Sequence, residues 1–225
     1  MPEASLLPSP LPLFPLTGSL LLPGNFLPLN IFEPRYRSLV TDAAEDGQHV
    51  GMIQPFVPRQ DNWPALHLPP ENPELYDVGC AGRIERCEPQ ADGRFLLLLK
   101  GVTRFRVRQE LPLVRGYRRA VVDYSGFEGD FKETEHPLSP GRLLSALKGF
   151  GEAHHLELDY DLLGALPGVS LVNGLAVALP FPPAEKQALL EAPDPSAREE
   201  LLLALMGMGL EPTTPEEYYS PPTLN

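Results

Sequence analysis

Positive charge, cysteine and long apolar runs are all scarce in this chain of 225 residues, and each shortage excludes something. Eighteen Lys and Arg stand against thirty Asp and Glu, a formal net charge of −12, which argues against a nucleic-acid binder on average. The only cysteines, Cys80 and Cys87, fall in what reads as one strand. At about 3.3 Å of rise per residue they sit more than about 20 Å apart, too far for a disulfide, and no further thiol completes a zinc set. They read as free thiols of a reducing compartment, so a cytoplasmic location is expected. No run reaches the roughly eighteen apolar residues that a membrane helix needs. Glu3 stands where a signal peptide carries positive charge, so no leader is expected. No internal repeat is visible, and no GxxxxGK[ST] phosphate loop occurs, so ATP hydrolysis is not expected.

Proline, by contrast, is abundant. Twenty-eight prolines exceed the usual share of about 5% and punctuate apolar runs throughout, as expected for many short strands and capped helices. The densest instance is Leu11 to Val40, LPLFPLTGSLLLPGNFLPLNIFEPRYRSLV. Pro23-Gly24 suits a tight turn, because proline presets φ at the first central position and glycine tolerates the positive φ of a type II turn at the second. Strand, turn, strand is the reading. After the turn, Leu27, Leu29 and Ile31 alternate with Phe26, Pro28, Asn30 and Phe32, and Pro28 cannot donate to a ladder, which places this strand at an edge or a bulge. Pro34 opens a helix with Glu33 beside its positive end, and Tyr36, Leu39, Val40 and Ala43 follow at helical spacing.

These residues also carry a likeness. Leu13-Phe14-Pro15-Leu16, Leu22-Pro23-Gly24, Leu27-Pro28-Leu29 and Asn30-Ile31-Phe32-Glu33-Pro34-Arg35-Tyr36 resemble the opening of the Lon substrate-binding domain, the N-terminal domain of the ATP-dependent Lon proteases. Gly51-Met52-Ile53-Gln54-Pro55, Tyr76 to Ile84 and Gly101-Val102-Thr103-Arg104-Phe105 continue it in order, and Leu179-Pro180-Phe181 with Glu185 to Glu191 extends it over nearly the whole chain. The chain is most similar to the stand-alone bacterial proteins that consist of this domain. The resemblance implies a non-catalytic module that recognises unfolded or partner polypeptides, without ATPase or peptidase activity and without a cofactor. A separate protease is then a candidate partner.

Along the chain, strands are expected over His49–Gln54, Val78–Glu88, Arg94–Lys100, Val102–Gln109 and Tyr117–Tyr124, with Ala91-Asp92-Gly93 a hairpin turn. Leu96 to Leu99, four leucines in a row, point to a strand covered on both faces. Pro55 to Pro73, with Trp63, reads as a long surface loop. From Pro137 the period becomes helical: Ser139-Pro140 opens one helix, Asp159 a second, Ser170 a third, Pro182-Pro183 a fourth and Asp194-Pro195 a fifth, which stops at Gly209. The expected architecture is α+β, with a mostly-β, barrel-like domain containing one helix over 1–125, PUA-like and LON-type by resemblance. A small α-helical bundle over 126–210 and a flexible proline-rich tail over 211–225 follow.

Charge is uneven. Residues 83–119 hold ten Arg or Lys against four Asp or Glu, whereas residues 120–225 hold five against seventeen. Arg104, Arg106 and Arg108 on one strand face, with Arg118 nearby, form a basic patch with three readings. It binds RNA phosphates, as PUA-like barrels allow by resemblance; it docks an acidic surface; or it is a solvated face paired with Glu85, Glu88 and Glu110. Ser145 and Lys148 match S-x-x-K, but they sit on an amphipathic helix without the companion motifs of that enzyme class, so no catalytic residue is assigned. His154 and His155 with Glu157, Asp159 and Asp161 have a metal-like composition in a poor geometry, since adjacent imidazoles splay apart, and no metal site is assigned. The remaining candidates are Phe26, Pro28, Phe32, Met52, Phe56 and Trp63, in or beside the edge strand and the long loop, where an extended peptide can add to a sheet edge. A polypeptide partner is expected, with neither nucleic acid nor membrane.

Overall fold

In a computed structural model of the chain, residues 7–45, 48–56, 73–132 and 136–209 are described. The chain divides into two compact units, Met1–Lys132 and Glu133–Asn225. The first carries strands β1 (Leu11–Pro15), β2 (Phe26–Ile31), β3 (His49–Ile53), β4 (Val78–Pro89), β5 (Phe95–Val114) and β6 (Tyr117–Asp123). Helix α1 (Pro34–Glu45) lies between β2 and β3, and a short 3-10 turn spans Glu128–Phe131.

The strands form one mixed sheet in the order β2-β5-β4-β3-β1-β6, with a further pairing between β5 and β6. The barrel-like sheet expected from the sequence is corrected by this order. β2 ends the sheet, paired only with β5 among the described residues, and β1 runs parallel to β3 within otherwise antiparallel neighbours. Parallel pairing of β1 and β3 requires a crossover, which the segment through β2 and α1 provides. Strand, turn, strand holds only in part. Leu22 accepts from the Asn25 N–H at 3.0 Å and Gly24 has φ of 81°, the type II turn that Pro23-Gly24 demands. Leu20, Leu21 and Leu22 before it are buried without joining a strand.

Two strands expected on either side of Gly101 are one strand of 20 residues. Gly101 is where the Leu22–Asn25 turn seats against it: Gly24 donates to the Gly101 carbonyl at 2.9 Å and Gly101 donates to Asn25 at 2.8 Å. A Cβ at this position would meet the Leu22 carbonyl oxygen at 2.0 Å, so only glycine lets the backbones approach. Length lets β5 pair with β2 through Phe95–Lys100 and with β6 beyond Arg106, while β4 runs beside it. Leu11, Leu13, Ile53, Ala81, Phe105, Ala120 and Val122 pack as the core. Tyr36, Leu39, Val40 and Ala43 of α1 are buried, the face its spacing predicts.

The second unit is helical: α2 (Pro140–Ala153), α3 (Tyr160–Gly164), α4 (Gly168–Ala178), α5 (Pro183–Glu191) and α6 (Pro195–Met208). Leu143, Leu147, Leu171, Leu175, Leu189 and Leu202 fill its centre. Asp159 and Asp194 cap α3 and α6 through their side chains, accepting from Leu162 and Ala197 at 2.9 Å each. Ser170 is not a cap, since α4 starts at Gly168 after Pro167. Ser139 precedes α2 without a side-chain cap, and its backbone N–H donates instead to the buried Glu199 carboxylate at 2.9 Å. Arg198, also buried, ties α6 to its neighbours through the Leu189 carbonyl and Asn173 Oδ1, both at 2.8 Å. Lys186 is buried, which pulls its amine pKa down, and it donates at 2.7 Å to the Val177 carbonyl near the negative end of α4.

Candidate binding face on the edge strand

The register of β2 on β5 sorts the candidate residues by face. Phe26, Pro28 and Asn30 stand opposite Lys100, Leu98 and Leu96, and directly opposed side chains share a face. That face is open: Phe26 is 53% exposed and Leu96 45%, with Pro28 exposed between them. Phe32, just past the strand, is 62% exposed. The other face turns Ile31, Leu97 and Leu99 inward, all buried. Burial of both faces, expected from the four leucines, is therefore corrected. Along Phe95–Lys100, β5 is covered on one side only, and Leu96 joins the exposed apolar surface that sequence reading assigned to Phe26 and Phe32. Its only sequence signal was alternation with Leu97 and Leu99, hidden by an unbroken run of one residue type. Lys100 Nζ lies 5.7 Å from the Phe26 ring centre, within cation–π range, at the basic end of the face.

The other candidates go elsewhere. Met52 is only 3% exposed, in β3 opposite Cys80, and offers nothing to a partner. Phe56 is exposed but sits past the far end of β3, edge-on to Tyr76 at 5.2 Å between ring centres. Phe56 donates its N–H to the Glu74 carbonyl beside the start of β4, whereas β2 lies alongside the part of β5 that pairs with the end of β4. Opposite ends of β4 thus separate Phe56 from Phe26 and Phe32. Trp63 lies outside the described residues, as do most of the loop expected over Pro55–Pro73 and the whole of the tail expected over 211–225.

The arginine row is drawn into ion pairs. Arg104 is buried and bonds Asp130 in two directions, its backbone N–H at 2.8 Å and its guanidinium Nη2 at 2.8 Å, with the guanidinium over the Phe127 ring at 4.9 Å. Arg118, also buried, reaches the Glu110 carboxylate with Nε at 2.8 Å and the Pro73 carbonyl with Nη1. Arg108 pairs Asp123 at the surface, holding that carboxyl down to about 2, with Ser125 adding a backbone and a hydroxyl donor. Arg83 pairs Glu85 and Arg86 pairs Glu88. Arg106, exposed in β5, is the row's member that makes no ion pair among the described residues. A strip of phosphates would find one open cation where the row promised three.

Ser145 and Lys148 are both exposed, with Lys148 Nζ 5.7 Å from the Tyr160 ring centre rather than poised over the serine. His154 ends α2 with its ring on Phe150 and Nε2 at 3.0 Å from the Gly209 carbonyl. Among the described residues no group of three or more His, Cys, Asp or Glu is placed to hold a metal ion. Cys80 is buried and Cys87 half-buried, neither in a disulfide, and burial pushes the Cys87 thiol pKa up. Among the described residues no helix is long and apolar enough to cross a membrane.

The open apolar face thus lies on β2, the strand that ends the sheet among the described residues. The chain belongs to the ATP-dependent protease La (LON) substrate-binding domain family, whose model matches residues 10–207; this is a binding domain and not a catalytic one. It is 31% identical to Lon protease 2 of Sorangium cellulosum over 93% of this chain and 26% of that protein. It is 29% identical to Lon protease 2 of Myxococcus xanthus over 89% of this chain and 24% of that one. The chain thus spans about a quarter of the length of these curated relatives. A crystal structure of a Lon N-terminal domain protein from Xanthomonas campestris is similar with a TM-score of 0.57 and 28% identity, covering 88% of this chain and 98% of that one. The N-terminal domain of a Mycobacterium avium complex Lon protease shares the fold at a TM-score of 0.57 and 16% identity, covering 88% and 97%.

Proposed function

We propose that the chain binds polypeptide clients in extended form along β2, by strand addition to the sheet edge beside an apolar strip of Phe26, Pro28, Phe32 and Leu96. The observation that carries this reading is the conjunction at β2: pairing on one side only among the described residues, and exposed phenylalanines at both ends. Strand addition draws affinity from main-chain hydrogen bonds and tolerates many sequences, which suits clients recognised by being unfolded. Pro28 removes one donor from the strand, so the ladder to a client is interrupted there; the same gap discourages edge-to-edge pairing between copies. Trp63, outside the described residues, is retained as a further contact on the strength of its place in the sequence alone.

The relatives' identity as proteases, of which this region is about a quarter, supports clients that are destined for a separate protease. Cys80 and Cys87, which form no disulfide, support a reducing, cytoplasmic setting. Binding is assigned to the β unit, with the helices after it forming a separate bundle.

A reduced, carboxymethylated model protein that cannot refold serves as the probe. The double variant Phe26→Ser/Phe32→Ser should weaken its binding by about tenfold or more, since each ring contributes on the order of 1 kcal/mol when its exposed part is covered. Unchanged affinity in a variant that melts like the parent would remove β2 as the site.

A further inference from the structure

The helical unit holds a second apolar surface that its own core does not use. Leu162, Leu166 and Val169 are exposed within eight residues, Leu162 at 64%, while Leu171 and Val172 immediately after them are buried. Hydrogen bonds hold this shoulder in place. Leu162 donates to Asp159, Ala165 to the Asp161 carbonyl at 3.2 Å and Leu171 to the Pro167 carbonyl at 2.9 Å. Gly168 is seated against Leu138, whose Cδ1 would lie 2.9 Å from a Cβ there. With Leu166 at 38% and Val169 at 36% exposed, Leu162 belongs to a local run of exposed apolar side chains on an ordered backbone, the kind of surface that marks an interaction site when a partner covers it.

Charge indicates what covers them. Lys148, with Nζ 5.7 Å from the Tyr160 ring centre, is the cation placed against α3; from there to Lys186 the sequence has no Arg or Lys, and Glu152, Glu157, Asp159 and Asp161, which lead into the shoulder, are all exposed. We infer that the α3–α4 shoulder docks a protein segment that is apolar on one side and rich in Lys or Arg on the other. A second copy of this chain meeting shoulder to shoulder would oppose two acidic rims. The chain's own residues 211–225 carry three glutamates and no Lys or Arg, so like charge disfavours them as well.

The test uses the full chain and two short labelled amphipathic peptides of identical pattern, one Leu/Lys and one Leu/Glu, followed by fluorescence anisotropy. The Leu/Lys peptide should bind and the Leu/Glu peptide should not. Leu162→Ser/Leu166→Ser should weaken binding by about tenfold, and Glu157→Gln/Asp161→Asn by about threefold with a flatter salt dependence. Phe26→Ser/Phe32→Ser should leave it unchanged, which separates this surface from β2. Equal binding of the two peptides, or binding that survives the leucine substitutions, would overturn the inference. So would a parent chain that sediments as a dimer and a leucine variant that sediments as a monomer.

Discussion

The two faces of the β2–β5 ladder share one register and meet opposite fates. Ile31, Leu97 and Leu99 are sealed from water, while Phe26, Leu96 and, past the strand end, Phe32 stand in it. Side-chain chemistry hardly differs between the sets. What differs is cover: one face lies on the core and the other leaves Phe26, Pro28 and Leu96 exposed. Apolar residues of the same kind therefore hold the fold on one side and are free to recognise a partner on the other. Arginine shows the same split within β5, where Arg104 is locked to Asp130 in the interior and Arg108 meets Asp123 at the surface.

The largest effect should come from breaking the buried pair. Arg104→Ala leaves the Asp130 carboxylate enclosed without its cation and should destabilise the fold by about 3–5 kcal/mol, read from urea midpoints. Leu99→Ala, on the sealed face, should cost about 2–5 kcal/mol through lost burial and the cavity left behind. Phe26→Ser, one strand away on the open face, should stay within about 0.5 kcal/mol, so a large loss there would mean that both faces are structural. The smallest effect is the surface pair. The pKa of Asp123 is lowered to about 2 in the fold, so its contribution is complete above the ordinary carboxylate value of about 4 and is lost as pH falls through about 2. Between those values the parent should lose stability with falling pH more steeply than Asp123→Asn, a difference visible in urea midpoints measured across the acid range.

Local chemistry was readable from sequence, and long-range cover was not. The Pro23-Gly24 turn, the buried face of α1 and the Asp159 and Asp194 caps each follow from residues within a few positions of one another. Sheet order does not, because nothing in Leu11–Pro15 states that it will lie parallel to β3. Leu96 was misjudged for the same reason, since a run of leucines gives no indication of which side a neighbour occupies. Arg104 looked like its neighbours Arg106 and Arg108, and only the fold brings Asp130, 26 residues later, against it. Of the candidate site, Phe26, Pro28 and Phe32 lie together because they are neighbours in sequence; Met52 and Phe56 depended on tertiary placement and went elsewhere.

Backbone amide hydrogen exchange of the full chain, with and without the unfolded model protein, bears most directly on binding along β2. Strand addition predicts new protection concentrated in Phe26–Ile31, weakest beside Pro28, and little change in the already paired β4. Binding accompanied by protection elsewhere and none in β2 would contradict it.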